Sequence, residues 1–453
     1  MTEFPQVGTN ALSQDASKAT EFIRRADIVV GIPSYNNART IGHVVRAVYA
    51  GLAKFFPQLT AVIVNSDGGS TDRTRDEVLS TRIDDQHLLL MATPAVAAHR
   101  LSFPYHGIPG KGSAFRLIFE IAARLEAKVC VVVDADLRSI APEWIDHLVR
   151  PILFAHYDLV TPYYHRHKYD GTITNNIVYP LTRCLYGQIV RQPIGGEFGL
   201  SNRLFRRYLE RNDWATDVAR FGIDIWMTTI ALAEGFHVCQ SFLGAKLHDP
   251  KDPGSDLSEM LKQVVGSVFA LMLEYETVWQ ATNTTKRTEV FGFQFDVGLE
   301  PVAVRVDRMI HAFRQGCNDL AEIWRMALRP ATYSEVRKLG LDPPAEPFRF
   351  PDELWISVLF DFACTYKRRP VERGHILSAL TPLYLGKVAS AVLEMETFDG
   401  PEVEARIERL CLAFEQAKPA LLANWNDGPG VPASGGAHTM EVDRNDRNVP
   451  ASI

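Results

Sequence analysis

From Ile28 onward the chain alternates two hydrophobic periods, and that alternation confines it to one class of architecture. Ile28-Val29-Val30-Gly31-Ile32 is a continuous apolar run, the pattern of a strand buried on both faces. Beyond it Ile41, Val44, Val45, Val48 and Leu52 recur at helical spacing, with Asn36 or Asn37 placed to cap the helix. The pattern then predicts a strand over 61–64, a Gly-rich turn at Asp67-Gly68-Gly69, a helix opened by Ser70 or Thr71, and a short strand over 88–91. A helix with Ile118, Ile121, Ala122 and Leu125 on one face leads into a strand over 129–133. Strands alternating with helices imply an α/β fold, a parallel sheet with helices on both faces. Ligands in such sheets bind beyond the carboxyl ends of the strands.

At 453 residues the chain exceeds what one hydrophobic core usually serves, so more than one domain is expected. After about residue 255 the pattern turns to long amphipathic segments (260–275, 302–328, 354–365, 376–393 and 403–422), punctuated by prolines such as Asp342-Pro343-Pro344. The expected division is an extension over 1–25, a sheet domain over 26–254, a mainly helical domain over 255–425, and a tail over 426–453 rich in Gly, Pro, Ser, Asp and Asn that reads as disordered. A net charge of −6, from 48 basic and 54 acidic residues, offers no footprint for nucleic acid. Six dispersed cysteines without a CxxC pair read as reduced thiols. No run approaches the roughly 18 apolar residues of a membrane span, and Glu3, Asp15 and Glu21 do not fit a signal peptide. A cytoplasmic protein that binds no membrane is expected, and the amphipathic helical faces suggest a homodimer.

Four motifs lie at strand ends. Asp134-Ala135-Asp136 follows Val131-Val132-Val133, and two carboxylates at i and i+2 supply hard oxygen ligands for Mg²⁺ or Mn²⁺ beside a diphosphate. The same residues also end strands and cap helices in many proteins. Pro33-Ser34-Tyr35-Asn36-Asn37 closes the first strand and reads equally as a turn. Asp67-Gly68-Gly69-Ser70-Thr71-Asp72 closes the second, its glycines allowing a ligand to approach the backbone. Pro109-Gly110-Lys111-Gly112 opens a helix with a lysine suited to an anion, without the spacing of an ATP-binding loop.

These motifs, in this order, resemble those of nucleotide-sugar glycosyltransferases of the GT-A fold. Between 28 and about 254 the chain is similar to the retaining glucosyl-3-phosphoglycerate, glucosylglycerate and mannosylglycerate synthases, most specifically in Gln192-Pro193-Ile194-Gly195-Gly196-Glu197, Phe221-Gly222-Ile223-Asp224 and Ala245-Lys246-Leu247-His248. The resemblance implies a metal-dependent hexosyltransferase that uses an NDP-sugar. Pro33, Tyr35, Asn37, Asp67, Gly68, Lys111, Asp134, Ala135, Gly195, Gly196 and Glu197 would bind the donor. Asp136 and His248 would hold Mg²⁺ or Mn²⁺, and Lys111, Asp134, Glu197 and Asp224 would take part in the chemistry.

The resemblance also places the acceptor on Arg166, Gly171, Thr172 and Thr174. Where the phosphoglycerate enzymes carry Arg after the glycine, this chain has Thr172. Losing a charge-assisted hydrogen bond weakens a phosphorylated acceptor by about 1.5–3 kcal/mol, so free D-glycerate is the expected acceptor and α-glucosylglycerate the product. Lys168, Arg183 and Arg191 are the nearby cations that could replace the missing one. Asn37 and Asp224 depart from the Glu residues of the phosphoglycerate enzymes, which bears on base and sugar; glucose is the expected sugar, with a mannosylglycerate synthase or a glucosyl-3-phosphoglycerate synthase as the alternatives, and UDP or GDP is left open. A nucleotidyltransferase would need a Gly-rich triphosphate loop where Pro33-Ser34-Tyr35 stands, and a non-catalytic scaffold would be expected to have lost Asp136 or His248.

Overall fold

The computed structural model describes residues 13–81, 98–105, 108–247, 257–295, 297–341 and 348–427. The expected strand over 88–91, His248 and the tail beyond 427 lie outside the described residues.

Among the described residues ten strands form: β1 (Ile28–Ser34), β2 (Ala61–Asp67), β3 (His99–Pro104), β4 (Val129–Val132), β5 (Leu159–His165), β6 (Gln188–Ile189), β7 (Phe198–Ser201), β8 (Val238–Ala245), β9 (Lys286–Arg287) and β10 (Val290–Phe291). Eight make one sheet in the order β10-β8-β5-β7-β4-β1-β2-β3, while β6 pairs with β9 apart from it. The expectation of a wholly parallel sheet is corrected in one place. β7 runs antiparallel to both β4 and β5. A strand running the other way begins at the edge where its neighbours end. Gly195-Gly196-Glu197, just before β7, therefore reaches the same edge as the residues just after β1, β4 and β8.

Both faces of the sheet are covered. Ile28, Val30, Ile32, Val129 and Val131 pack with the helices Ile41–Phe55 and Pro142–Ala155. Val29, Val62, Cys130 and Val132 face the helix Lys111–Arg124, in a core that continues into the helices Ser258–Glu274, Asp352–Arg368, Arg373–Glu394 and Gly400–Asn426. The α/β class with a helical C-terminal region is thus present. Its amphipathic segments lengthen at the ends, and the predicted 302–328 segment breaks into the helices Val306–Asp319 and Ala321–Ala327. The helix Arg373–Glu394 is long and apolar enough to span a bilayer, contrary to the sequence expectation, but 78% of its most apolar window is buried in this core.

Two helix starts differ from prediction. The helix Ile41–Phe55 has Thr40, not Asn36 or Asn37, at its N-cap position. Asn36 adopts a left-handed backbone (φ 55°), and Asn37 turns its side-chain oxygen to the Tyr35 N–H at 2.8 Å. The next helix begins at Thr74, where Asp72 accepts from the Thr74 N–H at 3.0 Å, rather than at Ser70 or Thr71.

Candidate active site

The carboxyl edge of the sheet opens into a cleft of about 820 Å³. Pro33, Tyr35 and Asn37 come from the end of β1, Gly68 from β2, Asp134, Ala135 and Asp136 from β4, Arg166 from β5, and Lys246 from β8. Gly195 and Gly196 arrive from the start of β7, and Lys111 and Asp224 from the first turns of two helices. Gly171, Thr172 and Thr174 complete the wall after β5.

The charges are interlocked. Lys111 Nζ lies 2.9 Å from Asp134 Oδ1 and 3.2 Å from Asp224 Oδ2. Lys246 Nζ donates to Asp134 Oδ2 at 2.9 Å, to the Gly195 carbonyl at 2.7 Å, and to Glu197 Oε1 and Oε2 at 2.8 and 3.0 Å. Burial disfavours both ammonium groups, yet the carboxylates around them outweigh it and hold both pKa values above the ordinary lysine range. Burial likewise opposes ionisation of Asp134, but its two lysines keep its pKa well below the usual carboxylate range. Glu197 goes the other way. Burial and the neighbouring Asp134 charge raise it to about 7 against the pull of Lys246 and Tyr164. Burial also raises Asp224, Lys111 acting in opposition. Gly196 sits at φ +97°, and a Cβ there would come within 2.3 Å of Asp134 Oδ2, so this turn admits only glycine beside the charge array.

Two residues expected on the wall lie behind it. Asp67 is buried, with Oδ2 accepting from the Gly69 and Ser70 N–H groups at 3.0 and 2.9 Å and Oδ1 from Ser70 Oγ at 2.6 Å, so it shapes the turn beside Gly68. Glu197 is fully buried beneath Lys246, and the Tyr164 hydroxyl donates to it at 2.7 Å. Its carboxylate orients the lysine from below.

The side chains of two cleft residues carry buried atoms without a hydrogen-bond partner: Asp224 Oδ1, an acceptor, and Arg166 Nε, a donor. The Arg166 guanidinium lies over the Tyr164 ring at 5.0 Å and pairs with Asp170 at 3.3 Å. The three cations proposed from sequence as substitutes at Thr172 all turn away. Lys168 donates to the carbonyls of Glu396 and Phe398, Arg183 pairs with Glu408 and Glu415, and Arg191 pairs with Glu404. Carboxylates and carbonyls of the last helices and their connections compete successfully for them.

Asp136 also lines the cleft, and among the described residues no hydrogen bond or ion pair holds its carboxylate. Such a group suits a hard divalent cation. No cluster of three His, Cys, Asp or Glu side chains forms among the described residues. Leu247 precedes the undescribed His248 and is tied to the turn after Asp136, through the Ser139 hydroxyl at 2.9 Å and the Arg138 N–H at 2.9 Å.

Lys246 and Tyr164 were not singled out as site residues from the sequence. Lys246 carried a signal, a lone cation after an apolar strand. Tyr164 carried none, being one of two adjacent tyrosines on β5. Leu257, Met260 and Val264, from the helical half, form an apolar part of the wall that the sequence did not single out.

No protein-family model and no curated protein matches the chain. Among solved structures it is similar to glucosyl-3-phosphoglycerate synthase from Mycobacterium tuberculosis in complex with Mg²⁺ and UDP, at 21% identity and a TM-score of 0.41, over 60% of this chain and 85% of that one. The same enzyme with Mn²⁺, UDP-glucose and phosphoglyceric acid matches at 21% identity and a TM-score of 0.41, over 56% and 82%. A mycobacterial protein matches at 22% identity and a TM-score of 0.41, over 60% and 80%. The likeness is one of structure at about a fifth identity, and the chemistry rests on the residues of the cleft.

Proposed function

We propose that the cleft transfers a hexose from a nucleoside-diphosphate sugar to a small hydroxy acid with retention of configuration, and that UDP- or GDP-glucose and D-glycerate are the pair its residues suit best. The observation that carries this reading is the charge array on one cleft, where Lys111 and Lys246 converge on Asp134 and the Asp136 carboxylate and the Arg166 guanidinium line the same walls. A lysine at a helix N-terminus suits a diphosphate, a carboxylate such as Asp136 suits a hard divalent cation, and a guanidinium suits the carboxylate of an acceptor.

On the donor side the diphosphate lies against the N-terminal end of the helix Lys111–Arg124, where the helix dipole and the Lys111 ammonium both favour negative charge. Asp136, with His248, would hold Mg²⁺ or Mn²⁺, which when bound supplies positive charge to the leaving diphosphate. Lys111 meets the charge that grows on the phosphate oxygen as the glycosidic bond breaks. The acceptor hydroxyl attacks from the face the diphosphate leaves. The new C–O bond forms as the old one breaks, and the hydroxyl proton passes to the departing phosphate. Asp224 is a poor nucleophile here, because one oxygen is held by Lys111 and burial favours its protonated form.

The acceptor is argued from charge. Among the described residues Arg166 is the cation that lines the cleft beside the Gly171–Thr174 wall, sharing its charge with Asp170, while Lys168, Arg183 and Arg191 turn to the last helices and the turn between them. One guanidinium matches one carboxylate. The phosphoglyceric acid bound by the similar mycobacterial enzyme makes the phosphorylated acid the natural competitor in the test. NMR of the protein with UDP- or GDP-glucose, Mg²⁺ or Mn²⁺, and either acid should give an α-glucoside preferentially from free D-glycerate. A product from the phosphorylated acid alone would overturn the acceptor assignment. The absence of both transfer and sugar-nucleotide hydrolysis would overturn the enzyme class.

A further inference from the structure

The wall that carries Thr172 and Thr174 is held partly by its own turn, where Asn176 Nδ2 donates to the Thr172 carbonyl at 2.9 Å and Asn175 N–H to the Gly171 carbonyl at 2.9 Å, bonds that leave the Thr172 hydroxyl unfixed. After Gly171 (φ +65°) the backbone enters a π-helical turn, Thr174–Val178, with the Tyr179 N–H reaching the Thr174 carbonyl. Such wide turns rarely persist unless their surroundings fix them, and they gather at functional sites. Here the surroundings come from the far end of the chain. Tyr384, on the helix Arg373–Glu394 and only 1% exposed, places its hydroxyl 2.6 Å from Thr172 Oγ1. Trp355 Nε1 donates to the Asn176 carbonyl at 2.8 Å. Arg191 bridges Asn175 Oδ1 at 3.0 Å and Glu404. Behind Thr172 the packing leaves a void of about 20 Å³, room for one water.

We infer that Tyr384 is a positioning residue for the acceptor wall: the helical half fixes the Thr172 hydroxyl and the turn after Gly171, so that the wall is set before the acceptor arrives. The inference rests on the proposed acceptor site and gives the helical half a role in selecting its occupant. The fixed side chain at 172 costs the acceptor no ordering of its own. Tyr384 touches no reacting atom, and its effect passes through Thr172.

Tyr384→Phe removes only the hydroxyl. Amide hydrogen exchange should rise about 10-fold over 171–176 and stay at the wild-type rate over 33–37 and 67–74. The KM for D-glycerate should rise about 3- to 10-fold, the worth of one neutral hydrogen bond, with the donor KM unchanged. In a Thr172→Val background Tyr384→Phe should add nothing, and Thr172→Ser should behave as wild type. Unchanged exchange over 171–176 overturns the inference whatever the acceptor proves to be. Raised exchange with an unchanged glycerate KM, or equal rises in both KM values, overturns it as well. If wild-type protein transfers nothing to glycerate, the proposed function fails, and the exchange measurement alone decides whether Tyr384 sets this wall.

Discussion

Replacing Glu197 with Gln deletes one buried titration and leaves the volume of the site nearly unchanged. Glu197 is fully buried and its pKa stands at about 7, because burial and the Asp134 charge outweigh Lys246 and Tyr164. The same side chain has an ordinary value of 4.5. A carboxyl whose pKa is raised on folding binds its proton more tightly in the folded state. Its stabilising contribution is complete below pH 4.5 and is lost as pH rises through 7. At about 1.4 kcal/mol per pH unit, that interval is worth roughly 3 kcal/mol. Other groups do not imitate the effect. Asp134, lowered by its lysines, stays ionised throughout the window, and Asp224, raised by burial, contributes to both proteins alike. Urea unfolding of wild type and Glu197→Gln from pH 4.5 to 8 should show the wild type losing about 3 kcal/mol relative to the variant. A difference independent of pH would refute the electrostatic account of Glu197.

Three further outcomes are expected. Asp136→Asn should lower metal-dependent turnover about 100-fold or more while leaving the melting temperature unchanged, since no protein group among the described residues depends on that carboxylate; wild-type turnover across a Mg²⁺ or Mn²⁺ titration would remove Asp136 from the metal site. Arg166→Ala should raise the acceptor KM about 10- to 100-fold, the worth of a charge-assisted hydrogen bond, with the donor KM close to wild type; steady-state kinetics in both substrates separates the two. Lys246→Met strips Glu197 and Asp134 of a shared buried partner and should cost about 3–5 kcal/mol of stability, measurable by urea denaturation; a cost below about 1 kcal/mol, the range of an exposed pair, would overturn the account of Lys246 as the buried centre of the array.

The strand-end motifs were legible because a strand buried on both faces is nearly all apolar, so the first polar residues after it mark the sheet's edge. Asp134 and Asp136 follow Val133 by that rule, whereas β1 runs on through Pro33 to Ser34 before its edge is reached. β7 escaped it, because four residues, Phe198-Gly199-Leu200-Ser201, are too few to show a period, and nothing local records that they run antiparallel. The direction of that strand puts Gly196 beside Asp134 and Glu197 under Lys246. Asp67 misled for a related reason. An aspartate before two glycines fits a ligand contact and a self-closing turn equally well; here Gly69 and Ser70 of the turn give it three hydrogen bonds and Ser34 at the end of β1 a fourth.

The helical half was legible as helices and silent as a partner, and the cause is the distance along the chain. Thr172 and Tyr384 stand 212 positions apart, and Arg183 finds Glu408 across 225. Neither pairing leaves a trace in local periodicity, which reports only which face of an element is apolar. Lys168, Arg183 and Arg191 therefore read as free cations near the acceptor, when each is drawn off by an acceptor from the last helices or the turn between them. The charge of the acceptor wall is thus set from outside the segment that forms it. Arg166 remains on the cleft because its carboxylate, Asp170, lies four residues away on the same turn. On the proposed reading this wall meets one anionic group at Arg166, and the last helices, by engaging Lys168, Arg183 and Arg191 and holding Thr172, leave those three cations unable to meet a second.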